Sequence, residues 1–525
     1  MVWNPFHIAL AVVYIASLLL VGVLTGRRRR DSNQFLNATG AFPLWVCIAA
    51  AIAANCGSLD VIAMMALGAQ YGMLACHFYW IGAIPALVVL VFWLLPAYAR
   101  ERFPTVLDFI SRYYGPETRA AVALGMAAMM LLLAGVCLCA TAQVATSFLG
   151  WNFLSGVLLT AALVLFYTWM GGLRATVYNE LLHFAVVLAA ILPLGYFVVR
   201  DFGGVRSLIS SIPSAKFHVW QTLPWISPHA VMDRFGVILG LGLVLSFGYW
   251  STDFVLMQRA LAVRRAEDVQ YVPLALAAAK LIFAMLIVVP GVIAPLVLHL
   301  GTAPNWNATL PAMMLHYYNP WWVVIGITGL AASLVSTFAN NVSGFSAAWM
   351  QGVYRPWIYS RGSESHYLWM GRIANAAAVL LSIGGAHVAL EYHSLMEYMQ
   401  MIFAAFNGPV FALVALAALA PRRAAGGGVA GFVLGLASAV LHQALVHAGV
   451  LRYGSLMTAN FYAAVLSFGV AAVSTLIAAR VNRRKRKEPG LISEPVRLSG
   501  HFSAPIALAA LAILLVGIAC NAIFR

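Results

Sequence analysis

GITGLAASLVSTFANNVSGF, residues 326–345, decides the fold class. The stretch is apolar enough for lipid, yet Ser333, Ser336, Thr337 and Asn340 interrupt it at i, i+3, i+4 and i+7. On an α-helix that spacing places all four side chains on one face. Lipid offers no partner to a hydroxyl or an amide, so the stripe must face other protein or an ion. Neutral oxygen ligands suit a small hard cation. Ser, Thr and Asn also join membrane helices to one another. The stripe alone leaves both readings open.

The surrounding chain has 525 residues, of which 63% are hydrophobic and 9% charged. A soluble domain carries about a quarter charged residues. Apolar runs of the roughly 20 residues that cross a bilayer recur along the whole length. The expectation is an all-α polytopic membrane protein with about 14 spans, near 6–25, 42–71, 74–98, 118–147, 152–170, 175–199, 230–258, 269–299, 319–352, 368–389, 395–420, 426–449, 458–480 and 504–524. No soluble domain of useful size is expected.

The net charge of +15 raises nucleic acid as a partner, but its placement argues against it. Arg27–Arg30, Arg100, Arg102, Arg112, Arg119, Arg174, Arg259, Arg264, Arg265, Arg355, Arg361, Arg372, Arg422, Arg423 and the run at Arg483–Lys487 fall in alternate loops. That alternation is the positive-inside pattern, and it puts both termini outside a plasma (inner) membrane. The arginines at 27–30 follow the first apolar run, so this run reads as a retained helix rather than a signal peptide. Cysteines 47, 56, 76, 137, 139 and 520 all lie in apolar segments and show no metal or disulfide spacing. The partners implied are the lipid bilayer and a small solute, with no nucleic acid and no obligate protein partner.

Two spans carry small and polar residues at mid-depth, Asn55-Cys56-Gly57-Ser58 and Ser246 through Asp253. Transporters unwind helices at such points to expose carbonyls, although Gly and Ser also permit close helix packing. The two interrupted spans lie five apart, and each opens a five-helix half, which suggests an inverted repeat. Between them, TVLDFISRYYG (105–115) reads as a short amphipathic helix with Thr105 as N-cap and Gly115 as its end. The outside loop at about 201–229 is expected to cover the external mouth.

Several stretches, in order, resemble one family. Ala53-Ala54-Asn55 looks like the broken first core helix of the sodium:solute symporters. FPTVLDFISRYYG (103–115) resembles their "TVPEYLxxRFG", GGLRATVYNELLHF (171–184) their "GGLxAVxxTDxxQ", and YWSTDFVLMQRALAVRRAEDVQ (249–270) their "YWxTDQxxxQRxLAAKxxxxA". The opening stripe resembles the family's "SSxxS" helix, followed by Tyr354-Arg355. Over nearly its whole length the chain is similar to the sodium:solute symporter family, nearest to its bacterial sodium/galactose-type members.

The resemblance implies a LeuT-like fold of two inverted five-helix repeats in one transmembrane domain, 1–525. A leading helix occupies 1–30, the repeats 42–199 and 230–420, and three trailing helices 426–525. It also implies a sodium site, Na+ being the one cofactor, formed by carbonyls of Ala53, Cys56 and Ser333 and hydroxyls of Ser336 and Thr337. A second sodium is in doubt, because Ala339 and Asn340 replace hydroxyls and Glu180 stands where some members carry an Asp. Glu180 then guides ions at the cytoplasmic exit, or pairs with Arg174 or an inside loop.

For the solute, Lys280 is the one basic residue buried mid-span, and an intramembrane charge is a functional hypothesis by default. By resemblance Lys280, Gln400 and Tyr249 match sugar-contacting positions, and Asn55 and Asp60 lie beside them. Asp60 stands where these members have Gln or His, and it is a natural ion-pair partner for Lys280. Tyr79 and Ser246 replace a Glu and an Asn of sugar transporters, which weakens the sugar reading against an organic acid or amino acid. The implied function is sodium-coupled import of a small polar solute by alternating access. An ion channel or membrane sensor is the reading from another class. The sequence shows no nucleophile–base pair or metal cluster, so no enzyme is expected, and no appended signalling domain is expected either.

Overall fold

The computed structural model describes residues 42–101, 103, 105–170, 173–220, 223–299, 305–482 and 503–525. The expected leading helix and the basic run at Arg483–Lys487 lie outside the described residues, as does the side chain of Arg174. Among the described residues the chain is helical throughout, apart from an isolated bridge between Phe42 and Val263. Eleven helices among the described residues are long and apolar enough to cross a membrane, or 12 with one bent pair counted as a single span.

The first described span is broken in two. Helix α1 (Leu44–Asn55) ends at Cys56, whose φ of −125° and ψ of 32° leave the helical ladder. Gly57 is extended, and α2 (Ser58–Tyr71) begins at the next residue. The first N–H groups of a helix have no partner inside it. Here the Ser58 N–H is taken by Ser333 Oγ at 3.0 Å. Asp60 in the first turn of α2 adds a negative charge where the helix dipole favours one.

Next come α3 (Phe78–Pro96), the short amphipathic α4 (Val106–Tyr114), α5 (Pro116–Leu149), α6 (Phe153–Met170) and α7 (Leu173–Asp201). The expected cap of α4 is present: Thr105 Oγ1 accepts from Asp108 N, and Gly115 ends the helix at φ 91°.

The second broken span is α8 (Gly236–Thr252), from which the chain turns by 52° into α9 (Phe254–Leu261). It starts later than the sequence suggests. Asp233 accepts from Ser227 N at 2.9 Å and Gly236 N at 2.7 Å, which holds 227–233 in a loop. The break also falls later, at Asp253, because Thr252 Oγ1 bonds back to Gly248 O and keeps that turn helical. The loop after α9 then pairs with the start of α1 through Phe42 N–Ala262 O and Arg264 N–Phe42 O, each 3.1 Å. The start of the first broken span and the end of the second are thus tied together.

The remaining helices are α10 (Tyr271–Val297), α11 (Thr309–Tyr317), α12 (Pro320–Trp349), α13 (Glu364–Leu390), α14 (Leu395–Leu419), α15 (Gly428–His447), α16 (Leu456–Val481) and α17 (Ala504–Ile523). Helix α12 carries the polar stripe and packs against α5 and α7. Close approach of α2 to α10 depends on two glycines. A Cβ on Gly68 would lie 2.7 Å from Val288 O, and one on Gly291 would lie 2.4 Å from Met65 O. Small residues at such crossings are the usual means of bringing membrane helices together. Leu158, Phe166, Leu380, Leu441 and Leu508 stay exposed on the outer helices, where lipid rather than water is the neighbour.

Candidate functional site

A cavity of about 210 Å³ opens where the two broken spans meet α3, α10, α12 and α14. Asn55, Asp60, Tyr79, Ser246, Tyr249, Lys280 and Gln400 all line it, and Thr337 and Asn340 of the stripe reach it as well. All seven residues expected to contact solute therefore share one space, although they come from six different helices.

Lys280, only 3% exposed, organises one wall. Its ammonium donates to Asp60 Oδ2 at 3.0 Å and to the Asn55 carbonyl at 2.6 Å. It also lies 4.7 Å from the centre of the Tyr79 ring and 6.0 Å from that of Trp250. Tyr79 donates its hydroxyl to the same Asp60 oxygen at 2.8 Å. The pairing of Lys280 with Asp60 considered from the sequence is present. It neutralises the charge that burial would otherwise penalise.

Beside this wall is an oxygen-lined notch. A Cβ on Gly57 would lie 3.0 Å from Ser333 Oγ, 3.1 Å from the Ala53 carbonyl and 4.0 Å from Thr337 Oγ1. Glycine therefore leaves room for a small ligand among those oxygens. Thr337 Oγ1 lies 2.9 Å from the Ser333 carbonyl, and the buried Ser336 Oγ has no hydrogen-bond partner among the described residues. Neutral carbonyl and hydroxyl oxygens such as those around Gly57 are a donor set that fits a monovalent hard cation. Ser333 also joins α2 to α12 through Ser58, the helix-joining role that the stripe offered from the sequence.

Glu180 is buried and lies apart from the notch. Its partner is Arg259, with Nη2–Oε1 at 2.6 Å and Nε–Oε2 at 3.3 Å, and Asn340 donates to Oε1 at 2.9 Å. From the sequence Arg259 reads as a loop arginine near Arg264 and Arg265. In the structure it belongs to α9 and is 3% exposed. Asp253, Trp250, Asn341 and Asn407 also line the cavity and were not singled out from the sequence. The polar mid-span segment around Asp253 was the available signal for it. Asn307, in the Asn-Ala-Thr stretch at 307–309, is 2% exposed, and its amide oxygen accepts from Leu395 N at 2.8 Å.

The sodium:solute symporter family profile matches residues 35–435. The chain belongs to the sodium:solute symporter family. It is a transporter rather than an enzyme, an integral multi-pass membrane protein that couples sodium to a small polar solute. Similar members include a sodium/glucose cotransporter of Vibrio parahaemolyticus, 23% identical over 74% of this chain and 77% of the relative. Sodium/glucose cotransporter 1 of Sus scrofa is 23% identical over 82% of this chain and 71% of its own. Sodium/myo-inositol cotransporter 2 of Oryctolagus cuniculus is 24% identical over 82% and 69%.

The fold is shared with a substrate-bound, outward-open Na+-coupled sialic acid symporter, at a TM-score of 0.76 and 16% identity over 94% of this chain and 100% of that one. A nucleobase-cation-symport-1 family transporter bound to bromovinylhydantoin aligns at 0.53 and 12% identity, over 92% and 99%.

Proposed function

We propose that this symporter imports a neutral, sugar-like solute, with one sodium held between α1 and α12. The observation that carries this reading is the state of Lys280. It is the one cationic side chain among the described residues lining the cavity, and Asp60 already neutralises it. A carboxylate substrate would have to displace that buried pair, which is costly. A hydroxylated neutral solute need only complete hydrogen bonds at Gln400, Asn55, Tyr79 and Ser246. A site of this kind rejects analogues that leave its buried polar groups unpaired.

The sodium ligands are the carbonyls of Ala53, Cys56 and Ser333 and the hydroxyls of Ser336 and Thr337. Sodium bound there pins α1 and α2 to α12 and favours a solute-ready state. Tyr249 closes beneath the solute. Opening toward the other side separates carbonyls from hydroxyls and releases both. Glu180, held by Arg259 and by the amide of Asn340, lines the ion's exit together with Asn340. The architecture we assign is two inverted five-helix repeats, α1–α7 and α8–α14, with a leading span and three trailing ones. This gives about 14 spans, with both termini outside the plasma membrane.

The energetics are adequate. One sodium entering down 100 mV yields about 2.3 kcal/mol, and a tenfold sodium gradient adds about 1.4 kcal/mol. Together these sustain roughly 500-fold accumulation. The test is uptake into proteoliposomes of radiolabelled hexoses, polyols, organic acids and amino acids, with a sodium or a potassium gradient. Sodium-dependent uptake confined to the acids or amino acids would overturn the sugar-like assignment.

A further inference from the structure

We infer that Asp253 anchors a second monovalent-cation site, distinct from the Gly57 notch; this rests on the sodium-coupled reading above. Asp253 occupies the break between α8 and α9, lines the central cavity and is 8% exposed. Its Oδ1 accepts from Val255 N at 2.9 Å and caps α9. Its Oδ2 is buried and has no hydrogen-bond partner among the described residues.

The other charges nearby are already committed. Asp60 is paired with Lys280, and Glu180 with Arg259. The backbone N–H groups of Val255 and Leu256 at the start of α9 act on the Asp253 carboxylate, and Arg259 is the cation in its field, with Glu180 and Tyr249 also near. The guanidinium is occupied, however. Nε and Nη2 hold Glu180, and Nη1 holds Gln258 Oε1 and Val255 O. The N-terminus of α9 offers only about half a positive charge to a capping carboxylate. A buried carboxylate oxygen left in this state is expensive unless a cation or a proton joins it.

Oxygen ligands are at hand in the same cavity. Asn340 spends its amide nitrogen on Glu180, and Asn341 spends its own on Thr337 O and Cys137. Their carbonyl oxygens, with Thr252 Oγ1, remain as acceptors along the wall. One carboxylate with a few neutral oxygens suits Na+, or a proton on Oδ2.

Purified full-length protein tests this with sodium alone, by 22Na+ equilibrium dialysis, and with protons alone, by pH-dye titration of proton uptake. Asp253→Asn retains the cap, since Asn is as good an N-cap as Asp; Asp253→Ser is the second variant. If sodium is the ligand, wild type binds about two ions per chain and both variants bind about one. If a proton is the ligand, the sodium count is unchanged and the variants lose about one titrating proton. Sodium count and proton uptake both equal to wild type in both variants would reduce Asp253 to a helix cap and overturn the proposal. Loss of sodium in Ser336→Ala reports on the Gly57 notch alone, so the two sites succeed or fail separately.

Discussion

The hydroxyl of Ser333 accepts the Ser58 N–H at 3.0 Å, while its carbonyl accepts from Thr337 Oγ1 at 2.9 Å. Ser336, one turn on, has a buried hydroxyl with no such partner. Substituting the two serines should therefore have different consequences. Ser336→Ala removes only the proposed cation ligand, so half-saturating sodium should rise about tenfold, as for a loss near 1.4 kcal/mol, with unchanged thermal stability. Ser333→Ala also strands the Ser58 N–H, which costs about 1–3 kcal/mol when buried. Its melting temperature in detergent should fall together with its sodium affinity. Equal melting temperatures for the two variants would remove Ser58 from the argument. Lys280 follows a similar logic. Lys280→Ala leaves Asp60 and the Asn55 carbonyl without their donor, and breaking a buried pair costs about 3–5 kcal/mol. Adding Asp60→Asn to Lys280→Met should recover much of the melting temperature without recovering uptake, because the charge conflict goes but the solute contact does not return.

At the scale of elements, Gly57 makes the notch by lacking a side chain. Gly57→Ala places a methyl group 3.0 Å from Ser333 Oγ and 3.1 Å from the Ala53 carbonyl, in the space assigned to sodium. Sodium stimulation of uptake should fall more than tenfold in this variant, as measured against sodium concentration in proteoliposomes. Undiminished stimulation would place the ion elsewhere. Both the break and the stripe were legible in the sequence, because each consists of side-chain types that lipid does not tolerate without a reason. The Lys280–Asp60 pair was legible for the same reason. The partner of Glu180 was not, since Arg259 lies 79 residues away and sits among other arginines that look like a loop. The onset of α8 was hidden because Asp233 and its amide partners act through backbone geometry rather than apolar periodicity. The unpartnered state of Asp253 Oδ2 depends on which groups its neighbours have already engaged, and no reading of one segment reports that.

On the scale of the whole molecule, the site needs two faces that open in turn, so orientation is part of function. The basic residues Arg355, Arg361 and Arg372 flank one loop, and the positive-inside bias assigns that loop to the cytoplasm. The loop between α7 and α8 then lies outside. It carries two short helices, Val205–Ser211 and Ser214–Phe217, and grips the far end of α2. Lys216 donates to the Ala69 carbonyl at 2.6 Å, and Gly72, at φ 71°, brings its Cα close under the Lys216 backbone. The segment that rests on the first broken span should therefore be reachable only from outside the cell. Ser210 and Ser365 are exposed, the first in this outside loop and the second in the first turn of α13 beside the basic loop, and the native cysteines are buried except for the half-buried Cys520. In a Cys520→Ala background, Ser210→Cys should react with a membrane-impermeant maleimide on intact cells. Ser365→Cys should react only after permeabilisation. The reverse pattern would invert the orientation and, with it, the direction in which sodium drives the solute.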